Sequence, residues 1–97
     1  MRKPDLMETI VSSALDSAGV PYVTETDPRA NRLDFYLTEA DVHIECKLMH
    51  TDRIAEQMSR VKNVIVLQGE LAARLFAQAI ILGMRNARAE AIMENER

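Results

Sequence analysis

From Leu33 to Leu48 the chain reads LDFYLTEADVHIECKL, two runs in which apolar and polar residues alternate with the period of a β-strand on either side of TEAD. Such alternation constrains more than secondary structure, because the register of a hairpin is set by which side chains share the buried face. With Leu37 opposite Val42, Phe35 faces Ile44 and Leu33 faces Cys46, so every apolar residue of both runs falls on one side. The other side receives Tyr36 with His43, Asp34 with Glu45, and Arg32 with Lys47. A slip of one residue mixes the two sets.

The rest of the chain supplies elements to cover that apolar side. Asp5 to Ala18 reads as an amphipathic helix, capped by Asp5 and stopped by Gly19 and Pro21, with Met7, Ile10, Val11, Ala14, Leu15 and Ala18 on its apolar face. Val20 to Glu25 is a short strand and Thr26 to Asn31 a loop, followed by the two alternating strands Arg32 to Leu37 and Val42 to Leu48. A helix is expected from about Asp52 to Val61, then a buried strand from Val64 to Leu67 ended by Gln68-Gly69, then a helix from Glu70 almost to the end. The order is αβββαβα. It implies an α/β fold with a mixed sheet flanked by helices and an added C-terminal helix.

A chain of 97 residues is enough for one domain and not for two, so any site is built on residues 1–97 as a single unit or on a symmetric pair of them. No uncharged run approaches the roughly 20 residues that span a bilayer, and the start MRKPDLMETI lacks the apolar core of a signal peptide. With one cysteine there is no intrachain disulfide and no cysteine-based zinc spacing, and a cytoplasmic protein is the expectation. The net charge of −3 gives no global attraction for nucleic acid, which counts against a protein that coats DNA without specificity. A local basic rim is compatible with it, since Lys47, Arg53, Arg60 and Lys62 fall in one stretch.

The register makes Asp34 and Glu45 cross-strand neighbours, with Cβ atoms roughly 4.5–5.5 Å apart. Carboxylates that close repel unless one is protonated or a cation lies between them. Mg²⁺ takes one or two protein carboxylates and keeps positions open for water and phosphate oxygens. Lys47, two residues beyond Glu45, shares its face, where an ammonium orients or deprotonates a water and stabilises charge on a phosphoryl group. Glu8 lies only about 20° from Leu15 around the first helix and so points toward the apolar stripe and the same cluster. The plainer reading of the pattern is a solvated sheet face with no chemistry.

Asp34 followed by Glu45-Cys46-Lys47, set in an αβββαβ order, resembles the PD-(D/E)XK nuclease superfamily, which includes restriction endonucleases, Holliday junction resolvases and small phage-type nucleases. The similarity spans Asp5 to Gln68. It implies a restriction-endonuclease-like core and a Mg²⁺- or Mn²⁺-dependent phosphodiesterase acting on DNA, with Asp34, Glu45 and the Cys46 carbonyl on the metal and Lys47 assisting the attacking water. Glu8 and Gln57 match a first-helix glutamate and a glutamine after the lysine strand in many members. Arg53, one turn before Gln57, shares its face, and with Arg60 and His43 it would contact substrate. Leu33 stands where the family has proline, and no specificity domain or strongly basic surface is present. The alternatives are a member of the fold that has lost catalysis and only binds nucleic acid or protein, and a small α/β scaffold.

From Leu71 to Met84 almost every residue is apolar, apart from Arg74 and Gln78. Leu75, Ala79 and Leu82 form one stripe, and Phe76, Ile80 and Met84 another. A small sheet buries only one of them, so the second implies a homodimer through this helix, with Phe76 and Ile80 as its expected contact. The polar ending, residues 85–97, is expected to extend past the body or fray.

Overall fold

The computed structural model describes residues 5–47, 56, 59 and 61–95, of which 84–95 are described by backbone alone. Its elements are α1 (Leu6–Ala18), β1 (Tyr22–Thr24), a 3₁₀ turn (Pro28–Ala30), β2 (Phe35–Leu37), β3 (Val42–Lys47), β4 (Val64–Gln68) and α2 (Glu70–Asn95). The strands form one mixed sheet in the order β1-β2-β3-β4, antiparallel from β1 to β3 and parallel between β3 and β4. The expected helix over Asp52–Val61 lies largely outside the described residues, with Glu56 and Ser59 helical.

The register is the one the alternation dictates, with Phe35 opposite Ile44, Tyr36 opposite His43 and Leu37 opposite Val42. One face of the sheet presents Phe35, Leu37, Ile44, Cys46 and Leu67 to Met7, Val11 and Leu15 of α1 and Ala73 of α2, and these form the core. Each fully buried aliphatic side chain, such as Leu15 or Ile44, is worth ~1.5–3 kcal/mol of transfer free energy. α1 is held at both ends. Asp5 accepts from the Glu8 N–H at 2.8 Å while the Glu8 side chain accepts from the Asp5 N–H at 3.3 Å, a reciprocal capping box, and Gly19 ends the helix at φ 69°.

β2 is shorter than the alternation suggests. The expected strand from Arg32 begins only at Phe35, because Asn31 and Arg32 both take left-handed backbone (φ 54° and 65°) and Leu33 N–H turns back to the Ala30 carbonyl at 2.9 Å. The expected pairings Leu33–Cys46, Asp34–Glu45 and Arg32–Lys47 are therefore not rungs of the ladder. Leu33 is buried but does not belong to the main core cluster.

The last helix corrects another expectation. Ala73 and Ala77 are buried and Phe76 packs on the core with Ile80 half-buried beside it, so the stripe proposed as a dimer contact is the one that faces α1 and the sheet. Small residues at 73 and 77 let the two helices approach closely, which decides which side of α2 turns inward. The exposed stripe is instead Leu71, Leu75 and Leu82, at 71%, 57% and 54% exposure. The polar ending is helical as far as Asn95. Among the described residues no helix is long and apolar enough to cross a membrane.

Candidate functional site

Where the β2–β3 ladder stops, Asp34 takes over its hydrogen bonding. The carboxylate Oδ2 accepts from the Cys46 N–H at 2.7 Å, filling the place of a backbone rung. The bond fixes the carboxylate on the end of β3, next to Glu45. Asp34 and Glu45 are both buried, at 8% and 3% exposure. Burying two carboxylates side by side is costly unless a proton or a cation neutralises one of them.

Asp34 shows the consequence. Burial, and then its hydrogen bond with Glu45, push its carboxyl up to about 7, while bonds from the Cys46 N–H and from Glu8 oppose the rise. Glu8 thus reaches the cluster from α1, as its position near the apolar stripe implied, and does so while serving the capping box. Asp34, just before β2, therefore interacts with one carboxyl group from α1 and one from the middle of β3. A cavity of about 250 Å³ opens beside them between α1 and the β1–β2 hairpin, lined by Glu8, Ser12, Thr24, Glu25 and Asp34 among others.

Lys47 is half-buried at the end of β3 and, two residues from Glu45, shares its side of the strand. Cys46 faces the core, where burial pushes its thiol well above the usual range and leaves it a packing residue. Its carbonyl remains the group relevant to the site. Arg53, Gln57 and Arg60 lie outside the described residues.

His43 differs from expectation. Rather than standing on a solvated face, it is buried beneath the β1–β2 loop, with Nε2–H donating to the Arg29 carbonyl at 3.1 Å and the Asn31 amide 3.3 Å from the same nitrogen. Its ring packs on Tyr36 with centroids 4.5 Å apart, and its Nδ1 is buried without a partner. The described geometry makes it an anchor for the loop.

Glu25 escaped the sequence reading. It follows β1, whose Thr24 lies opposite Phe35, and lines the same cavity as Glu8 and Asp34. Glu25 stands in the turn after β1, where no alternation marks it.

Among the described residues no group of three or more His, Cys, Asp and Glu side chains is spaced to hold a metal ion as it stands. Mg²⁺ asks for less, since one or two carboxylates with waters and a substrate oxygen complete its octahedron. Asp34, Glu45 and the Cys46 carbonyl are hard oxygen donors of that kind. A cation there would take the place of the proton that burial favours on Asp34. No family model matches the chain, and no curated protein or solved structure is significantly similar to it.

Proposed function

We propose that the chain is a Mg²⁺- or Mn²⁺-dependent phosphodiesterase that hydrolyses DNA, a member of the PD-(D/E)XK nucleases in a restriction-endonuclease-like arrangement. The observation that carries this reading is the burial of Asp34 beside Glu45, which raises Asp34 to about 7, with Glu8 reaching Asp34 from α1 and opposing the rise. Burying two carboxyl groups together costs stability that apolar residues at these positions would not.

Asp34, Glu45 and the Cys46 carbonyl would hold the ion. When bound, it supplies a Lewis acid for a phosphodiester oxygen and makes a coordinated water more acidic. Lys47 orients the attacking water and places a positive charge where negative charge develops on the phosphoryl oxygens. Glu8 holds Asp34 in its ionised, metal-binding orientation. The Cys46 N–H fixes the same carboxylate from the other side. Arg53 and Arg60 contact the DNA backbone and Gln57 supports the site.

The protein works as a homodimer through α2, presenting two sites to two strands, with Leu71, Leu75 and Leu82 as the paired stripe. Metal loading is tested by thermal melting. Mn²⁺ or Mg²⁺ raises the melting temperature of the wild type by ligand linkage, and Asp34→Asn abolishes the rise. A shift that survives in the variant places the ion elsewhere and removes the basis of the proposal.

A further inference from the structure

The loop between β1 and β2 walls a second cavity, of about 400 Å³, lined by Glu25, Thr26, Asp27, Pro28, Asn31 and Arg32, together with Val61. Glu25 also lines the cavity that holds Glu8 and Asp34, so one residue borders both. A strand whose phosphodiester lay at the carboxylates would therefore have its neighbouring nucleotide beside this opening.

The cavity is built rather than left over. The 3₁₀ turn inside the loop is closed by Ala30 N–H to the Asp27 carbonyl at 3.0 Å and Asn31 N–H to the Pro28 carbonyl at 3.1 Å, and His43 ties the Arg29 carbonyl to the sheet. Asp27 binds Arg29 through a two-bond fork at 3.1 and 3.0 Å, which neutralises both in place. Arg32 has no ion-pair partner among the described residues, although it lines the cavity and sits at φ 65°. A non-glycine residue held there is strained by its Cβ against the following carbonyl. Strain of this kind at a cavity wall points to use.

The lining fits a nucleotide. A planar guanidinium and an amide hydrogen-bond to base edges or phosphate, a hydroxyl adds a donor and acceptor, and the prolyl ring and Val61 offer apolar surface to the face of a base. The volume falls within the ~300–1,000 Å³ that receives one small organic group. A base locked in a duplex cannot enter without leaving its stack.

We infer that this cavity receives one unpaired nucleotide of the DNA strand adjacent to the scissile phosphodiester, which makes the protein selective for single-stranded or flapped DNA over continuous duplex. The inference rests on the nuclease reading above. Its test uses fluorescently labelled oligonucleotides, single-stranded, flapped and fully duplex, with wild type and Arg32→Gly. Glycine removes the guanidinium yet is at ease at positive φ, so the variant folds, as melting would verify.

Binding is read by anisotropy with Ca²⁺ in place of Mg²⁺, apart from cleavage, and cleavage is read with Mg²⁺. The expected result is a wild-type preference for unpaired DNA that falls about tenfold or more in Arg32→Gly, and that is also lost when the oligonucleotide carries an abasic position next to the cut. Equal binding and cleavage of duplex and unpaired DNA by the wild type, or an unchanged preference in Arg32→Gly, overturns the subsite and leaves the nuclease standing. Absence of both binding and cleavage on every DNA overturns the nuclease reading and the subsite with it.

Discussion

Asp34 Oδ2 sits 2.7 Å from the backbone nitrogen of Cys46, so a carboxylate closes the β2–β3 ladder where a peptide carbonyl would ordinarily do so. The same bond aims Asp34 at Glu45 and ties the stability of the sheet to the charge of the site. With its carboxyl raised to about 7 from an ordinary 3.8, Asp34 takes up protons more readily folded than unfolded. Its contribution to stability is therefore fully present below 3.8 and is lost as pH rises through about 7. In chelator, chemical denaturation between those limits should show this loss for the wild type. Asp34→Asn keeps the acceptor for the Cys46 N–H and removes the charge, so it should flatten the profile and raise metal-free stability near pH 8 by ~1–3 kcal/mol.

Glu8 has two duties that substitution separates. Glutamine preserves a capping box, so Glu8→Gln should melt within about 0.5 kcal/mol of the wild type. It should nonetheless lower cleavage by about tenfold or more, by loosening Asp34. Asp5→Ala should do the reverse, costing ~1 kcal/mol of stability with cleavage retained. Parallel melting and rate measurements on the two variants check the assignment.

Lys47→Ala should leave the fold intact, because Lys47 is half-buried and outside the core cluster. Cleavage should fall by about 10²-fold or more if the ammonium stabilises developing charge. Single-turnover rates at saturating Mg²⁺ decide this, and equal rates would remove the lysine from the chemistry.

Leu75 and Leu82 stand exposed on one side of α2 while Phe76 packs on the core. Leu75→Asp with Leu82→Asp should give folded monomers by light scattering, where Phe76→Asp should instead unfold the chain, at a cost of ~3 kcal/mol or more. A monomeric wild type at micromolar concentration would show that α2 is not a dimer contact.

The central hairpin was legible because alternation has only two phases and one of them buries Phe35, Leu37, Ile44 and Cys46 together. Glu8 was legible for a similar reason, its angle on a capped helix being fixed by the sequence. The left-handed Arg32 was not. Arginine carries no mark of that backbone, which arises from the 3₁₀ turn before it and shortens β2. Nor did periodicity reveal which stripe of α2 turns inward, since both are apolar and the choice depends on how α1 and α2 approach. The pair Ala73 and Ala77 was the available clue. Glu25 was hidden because it lies in a turn, outside any alternating strand.

Cleavage of labelled single-stranded, flapped and duplex DNA in Mg²⁺ or Mn²⁺, by the wild type and by Glu45→Gln, tests the central claim most directly. Glutamine keeps the size of the buried side chain and removes the negative charge that a divalent cation needs. The expected result is metal-dependent hydrolysis of at least one DNA by the wild type, absent in chelator and reduced by about 10²-fold or more in a folded Glu45→Gln. Hydrolysis that persists in that variant, or none by the wild type on any DNA with either metal, would contradict the assignment of the carboxylate cluster as a nuclease centre.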